Sequence, residues 1–366
     1  MTRSKVLVVD DSVFMRKIIS DLISEAPEFE VIATAKNGKE AVEKVASLKP
    51  DIVTMDVEMP EMNGLDALKL IMQQNPTPVI MLSSLTEAGA KETILALEWG
   101  AVDFVRKPSG SVSLDLYKVK IQLLEKLRTA SKTRIKYVPA SPPPAPVLPP
   151  KETKPAAAIA FPLRDKPKVK MTSPIFDQIV AIGTSTGGPK ALQQVLTRLP
   201  ASFPAPVVIV QHMPPGFTKS LAERLDMLSE IRVVEAEDDM ILYASTAYIA
   251  PGGYHMKIVS HGPSQYRIRL NKEDPRGGHR PSVDILFESL IPVAGLKRHA
   301  VLMTGMGSDG ARGMLGLRQA GAVSTLAEAE ETCVVYGMPR SAVELGGAMY
   351  VEPLHQIPAK LVQLLT

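Results

Sequence analysis

Residues 178–196 read QIVAIGTSTGGPKALQQVL. The β-branched, apolar run Ile179 to Ile182 predicts a buried strand. It breaks into Gly183-Thr184-Ser185-Thr186-Gly187-Gly188-Pro189. A helical pattern then begins, with Pro189 suited to a first turn and Leu192, Val195, Leu196 and Leu199 at helical spacing. The stretch is a strand–turn–helix unit that holds one hydroxyl, Ser185, between glycines. Gly183-x-Ser185-x-Gly187 matches the nucleophile-elbow pattern in the context that pattern requires. Glycine permits the sharp turn and leaves room for a substrate carbonyl. Amides at the following helix start could hold an oxyanion. The same residues also suit an ordinary glycine-rich βα turn or a phosphate cradle.

The chain of 366 residues is long enough for two domains. A net charge of +3 does not favour nucleic acid as a partner. One cysteine excludes a disulfide framework and a cysteine-based zinc site, and Cys333 is expected to be a small core residue. The opening MTRSKVLVVDD has no apolar leader segment, and no apolar run approaches the ~20 residues of a membrane span. A soluble cytoplasmic protein, monomeric, is expected.

N-terminal to the Ser185 unit, residues 5–127 alternate strand and helix five times. The strands are Val6–Val9, Phe29–Ala33, Asp51–Met55, Pro78–Leu82 and Val102–Arg106. Such an alternation predicts a doubly wound parallel sheet with its site at the carboxyl ends of the strands. Asp10, Asp11, Asp56, Ser83 and Lys107, which precedes Pro108, all fall at those ends. Three carboxylates at one edge repel one another unless a hard cation lies among them, and Mg²⁺ suits such oxygen ligands. A lysine and a hydroxyl nearby could hold phosphoryl oxygens. The bland alternative is a set of loop charges in water.

Residues 131–170 are rich in proline, alanine and lysine without apolar periodicity, as expected of a semi-extended tether. Beyond the Ser185 unit, Val207–Val210 is a strand ending in Gln211-His212-Met213-Pro214, and residues 217–228 are helical. Short strands follow at 231–233, 247–249, 256–259 and 267–270, then a helix at 282–290. Ala300–Met303 is a strand that breaks into Thr304-Gly305-Met306-Gly307-Ser308-Asp309-Gly310-Ala311, with another helix behind it. A mostly parallel α/β sheet is expected, and no helix-turn-helix is found.

Ser185, His212 and Asp309 each follow a buried strand at its carboxyl edge. A serine hydroxyl is a weak nucleophile until a base takes its proton, and neutral imidazole does so near pH 7. An acid behind the histidine fixes its tautomer. His255 and His279 lie in glycine-rich loops and are candidates to line the site. Asp238, Asp239, Asp274 and Asp284 compete with Asp309, although Asp284 is expected on an exposed helix face.

Two resemblances complete the reading. Val8-Val9-Asp10-Asp11, Met55-Asp56-Val57-Glu58-Met59-Pro60 with Asn63-Gly64, Ser83 and Lys107-Pro108 resemble the receiver domain of two-component response regulators. That resemblance implies Asp56 as phosphoacceptor, with Mg²⁺ held by Asp10, Asp11, Asp56 and the carbonyl of Glu58. It also implies Ser83 and Lys107 as readers of the phosphoryl group, and Phe104 as the switch aromatic. The Ser185, His212 and Asp309 motifs resemble the chemotaxis methylesterase family (CheB). So do Ile249-Ala250-Pro251-Gly252-Gly253, His279-Arg280-Pro281-Ser282-Val283-Asp284 and Val335-Tyr336-Gly337-Met338-Pro339. That resemblance implies Ser185 as nucleophile, His212 as base, Asp309 as its orienter, and Thr186 with the Met306 amide as oxyanion donors. It implies hydrolysis of glutamate methyl esters, and deamidation of glutamines, on chemoreceptors, with a chemotaxis histidine kinase as phosphodonor. No cofactor is expected in the catalytic domain, and contact with membranes only through receptors. The expected domains are a receiver at 1–128, a linker at 129–172 and a catalytic domain at 173–366. The competing expectation is a phospho-switched ligand-binding or DNA-binding regulator without hydrolase activity.

Overall fold

The computed structural model describes residues 3–84, 86–107, 113–133, 176–262 and 265–366. Pro108 and most of the proline-rich stretch lie outside the described residues. The N-terminal half alternates β1 (Ser4–Val9), α1 (Val13–Ser24), β2 (Phe29–Ala35), α2 (Gly38–Leu48), β3 (Ile52–Asp56), α3 (Gly64–Gln74), β4 (Val79–Ser83), α4 (Glu87–Glu98), β5 (Asp103–Arg106) and α5 (Ser113–Ala130). The strands form one parallel sheet in the order β2-β1-β3-β4-β5. β1 and β3 lie inside it and are buried on both faces, which explains their unbroken apolar runs. Short polar side chains start the helices: Ser12, Asn37, Asn63 and Thr86 each accept a backbone N–H three residues on.

The C-terminal half runs β6 (Gln178–Thr184), α6 (Gly188–Leu196), β7 (Val207–Gln211), α7 (Phe217–Leu228), β8 (Arg232–Glu235), β9 (Thr246–Ile249), β10 (His255–Ser260), β11 (Tyr266–Asn271), α8 (Val283–Ser289), β12 (Lys297–Leu302), α9 (Ala311–Gln319), β13 (Ser324–Glu328), α10 (Met338–Glu344), β14 (Tyr350–Glu352) and α11 (Ile357–Leu365). Seven strands form a parallel sheet in the order β14-β13-β12-β6-β7-β9-β8, and β10 and β11 form a separate antiparallel ribbon. One apolar layer contains α6, α7 and α11; the other contains α8, α9, α10 and the β10–β11 ribbon. From β6 the chain moves to β7 on one side, then returns later to place β12 on the other. β6 is thus the topological switch point, where an open parallel sheet leaves a crevice beyond its strand ends.

The two halves pack together through α4 and β5 of the first and α6 and α7 of the second. A single apolar cluster crosses between them, and Phe104 stacks on Phe217 with ring centroids 4.6 Å apart. Arg224 closes the rim with a two-pronged pair to Glu98, at 2.8 and 2.9 Å.

Candidate active site

The register of the C-terminal sheet brings the motif residues to one place. Thr184 pairs with Gln211 across β6 and β7, so Ser185 and His212 are the next residues on adjacent strands. The Gln211 amide donates to the Ser185 carbonyl at 3.0 Å, and the His212 N–H donates to the Thr184 carbonyl at 3.2 Å. On the other side β12 pairs with β6 through Leu302 and Gly183, which delivers the 304–310 loop to the same edge. Gly305 presses on the Ser185 turn so closely that a Cβ there would lie 2.8 Å from the Ser185 Cβ.

His212 Nε2 meets Asp309 Oδ2 at 2.8 Å. Asp309 also accepts the Val283 N–H at 2.7 Å, the Asp284 N–H at 3.0 Å and the Ser282 hydroxyl at 2.8 Å. The start of α8 therefore wraps this carboxylate. Burial alone would raise its pKa; the hydrogen bond and charge of His212 and the α8 amides outweigh that and hold it at about 2. An ionised Asp309 accepts the hydrogen bond of Nε2–H, which keeps that proton on Nε2 and leaves the lone pair on Nδ1. Nδ1 is buried without a hydrogen-bond partner among the described residues.

His279 is one of the two loop histidines expected as candidates to line the site. Its ring lies parallel to His212, 3.8 Å between centroids and 5° between planes. Burial, with His212 second, depresses its pKa to about 4, so it is a neutral wall against the His212 ring. His255 stands one step behind, buried, with Nδ1 accepting the Ser282 N–H at 3.2 Å. Asp284 departs from expectation: it is buried rather than on an exposed face, and its carboxylate accepts the Gly313 N–H at 2.7 Å. The i, i+3 pattern around it could not show that α9 packs over this face of α8. Cys333, expected in the core, is only half-buried in the turn after β13.

The catalytic-half helices that start at this edge differ from those of the receiver half. Gly187, Gly216, Gly310 and Gly337 precede α6, α7, α9 and α10, and none supplies a side-chain cap. Gly187, at φ +79°, takes a left-handed conformation that a larger residue would strain. Thr186 and Met306 are both engaged by the N-terminal half. The Thr186 hydroxyl donates to Asp103 Oδ2, and Met306 Sδ accepts the Thr129 hydroxyl at 2.9 Å.

In the N-terminal half, Asp10, Asp11 and Asp56 place carboxylate oxygens within 4.8 Å of one another at the ends of β1 and β3. Lys107 Nζ lies 2.7 Å from both Asp10 Oδ2 and Asp56 Oδ2. Burial pushes the pKa of Asp56 up to about 6, against the opposing pull of Lys107. The oxygen-only donor set fits a Mg²⁺ ion. Ser83, fully buried at the end of β4, accepts the Thr93 hydroxyl at 2.7 Å, and Glu58 is exposed beyond Asp56. No described helix is long and apolar enough to cross a membrane.

Residues 180–361 match the CheB methylesterase family, and residues 6–116 match the response regulator receiver domain. The chain is 52% identical to a protein-glutamate methylesterase/protein-glutamine glutaminase of Geobacillus kaustophilus, over 100% of this chain and 99% of that protein. It is 47% identical to the Bacillus subtilis protein of the same description, over 98% of this chain and 97% of that one. The crystal structure of the Thermotoga maritima CheB methylesterase catalytic domain superposes with a TM-score of 0.50 at 45% identity, covering 52% of this chain and 100% of that one. A receiver sheet, a parallel catalytic sheet with its motif residues at the switch point, and full-length likeness at this identity have one meaning: the chain belongs to the CheB family of protein-glutamate methylesterases/protein-glutamine glutaminases.

Proposed function

We propose that this chain hydrolyses glutamate methyl esters on chemoreceptors, releasing methanol, and deamidates receptor glutamines, under control of phosphorylation at Asp56. The observation that carries the proposal is the His212–Asp309 pair at the switch point, with His212 one residue beyond the end of β7 and Ser185 one residue beyond the end of the adjacent β6. His212 Nδ1 takes the proton of the Ser185 hydroxyl as the oxygen attacks the ester carbonyl. The carbonyl oxygen becomes an oxyanion, received by the Met306 N–H and Thr186. Collapse breaks the bond to methoxide, which leaves with the proton from His212 as methanol. Water, deprotonated by the same ring, then attacks the acyl-serine, and glutamate and free Ser185 result. With glutamine as substrate the leaving group is ammonia.

The N-terminal domain is the regulator. Asp10, Asp11, Asp56 and the Glu58 carbonyl would hold Mg²⁺, which would supply positive charge against the incoming phosphoryl group. Lys107 and Ser83 bind phosphoryl oxygens, and Phe104 moves with Ser83. In the resting arrangement the Asp103 carboxylate occupies the Thr186 hydroxyl, one of the proposed oxyanion donors, and α5 touches the Met306 side chain next to the other. The proposed division is a receiver at 1–128, a linker at 129–172 and a catalytic domain at 173–366, except that α5 runs on to Ala130, so the receiver reaches two residues into the expected linker. A histidine kinase is the phosphodonor, in the cytoplasm.

Ser185→Ala and His212→Ala test the assignment. Each should lower methanol release from methylated receptor by at least about 10³-fold while Asp56 still accepts phosphate. Near-normal release by Ser185→Ala would reject it.

A further inference from the structure

Glu328, at the end of β13, is the buried acid that the chemistry above leaves without a duty. It is fully buried, and its two oxygens have separate partners: Oε2 accepts the Thr304 N–H at 2.8 Å and Oε1 accepts the Thr332 hydroxyl at 3.0 Å. No basic side chain pairs with it among the described residues. Burial pushes its pKa up to about 7, with the Thr304 and Thr332 hydrogen bonds opposing. Burying a carboxyl group carries a desolvation cost that an apolar side chain would not, but an apolar side chain would leave the Thr304 N–H unpaired.

The sheet explains what the group is for. β12 and β13 pair through Leu302 and Ala327, and there the ladder stops. Beyond Leu302 the chain stays against β6 but parts from β13, so the Thr304 N–H has no strand carbonyl to meet. The Glu328 carboxyl takes the place of the missing carbonyl. Thr304 is in turn the joint between the two parts of the site. Its carbonyl accepts the Ser185 N–H at 3.0 Å and the Thr184 hydroxyl at 3.1 Å. Its hydroxyl donates to the Thr186 carbonyl at 3.0 Å and accepts the Val335 N–H at 3.0 Å. Gly305 and Met306 follow directly.

Resting on the assignment of Ser185 and Met306 above, we infer that Glu328 is a positioning residue for the reaction. Its carboxyl anchors Thr304, and Thr304 sets the distance between the Ser185 oxygen and the Met306 amide. The group touches no reacting atom. Its effect is on the transition state, because only there does the Met306 amide meet a full negative charge. A displacement of about 1 Å at such a site costs on the order of 10²-fold in rate.

The test uses the full chain, activated by a small-molecule phosphodonor with Mg²⁺, turning over methylated receptor. Rates are expressed per Ser185 that reacts with a fluorophosphonate, so unfolded protein is not counted. Glu328→Ala should lower kcat about 10- to 100-fold with KM within about twofold. Glu328→Gln keeps an acceptor for Thr304 and should restore kcat to within about threefold of the parent. Thr332→Val removes the other partner of Glu328 and should leave kcat within threefold. Should Glu328→Ala fail to fold, the inference is decided by comparing Glu328→Gln with Glu328→Leu in the same assay. Equal kcat for Glu328→Ala and the parent, or a loss carried wholly by KM, overturns the inference. That outcome differs from failure of the underlying assignment, in which Ser185→Ala itself would retain activity.

Discussion

Replacing Asp103 by alanine should release the catalytic domain without phosphorylation. Asp103 begins β5, and its Oδ2 accepts the hydroxyl of Thr186 from the opposite domain. Both residues are buried, at 7% and 8% exposure, so water does not replace the bond while the domains stay closed. A hydrogen bond to a charged group contributes about 1.5–3 kcal/mol. Each 1.4 kcal/mol is tenfold, so its loss shifts the closed–open equilibrium about 10- to 150-fold towards open. The other contacts of Asp103, with the Phe104 N–H and Lys126, lie within the receiver and do not bear on the docking directly. Resting methanol release should rise by that factor, capped at the rate of the phosphorylated parent. Stimulation by a phosphodonor should shrink in proportion, because the maximal rate is unchanged. The assay is methanol release from methylated receptor, with and without phosphodonor and Mg²⁺, alongside stoichiometric labelling of Asp56. A resting rate within twofold of the parent, with Asp56 still labelled, would refute the idea that this contact restrains the site.

Asp56→Asn should keep the resting rate and lose stimulation by phosphodonor, measured in the same assay. Lys107→Ala should still accept phosphate yet gain less than about a third of the parent's stimulation, because its ammonium lies 2.7 Å from Asp56 and would read the phosphoryl group. His299 is fully buried between Ser324 and Gln178, and burial depresses its pKa to about 4. A folded pKa below the unfolded value of ~6.5 means that stability is lost as pH falls from about 6.5 to 4, by up to roughly 3 kcal/mol. Asp56 and Glu328 have raised pKa values and act in the opposite sense, so the effect is read as a difference. Urea midpoints of the parent should fall more steeply over that range than those of His299→Gln, and parallel slopes would refute the assignment.

Much of the site was legible because strand ends are legible. An apolar run that breaks at a polar residue marks a carboxyl edge; Asp10, Asp56, Ser185 and His212 sit at such breaks, and Asp309 lies in the loop that follows one. The order of the strands was not legible, since β12 reaches β6 only through contacts more than a hundred residues apart. Asp284 read as an exposed helix residue because the spacing within α8 carries no information about α9 above it. His279 was legible as a candidate to line the site, but its stacking on His212 was not, because that depends on two loops well separated in the chain meeting. Glu328 left no signal at all: one glutamate in LAEAEE looks like its solvated neighbours until the strand beside it ends early. The tie between Asp103 and Thr186 spans two domains, and no pattern within either sequence foretells it.

The apolar cluster shared by the two halves gives the switch a temperature coefficient. Separating the domains wets Phe104, Phe217 and the faces of α4 and α7 around them. Wetting apolar surface raises heat capacity by about 0.45 cal/K/mol for each Å², so the free energy of closure is curved in temperature. The hydrophobic part of the hold weakens on cooling, whereas the Arg224–Glu98 and Asp103–Thr186 contacts do not share that dependence. A cell growing in the cold would therefore run this enzyme with a leakier resting state, and its adaptation would lean less on phosphate and more on the thermometer.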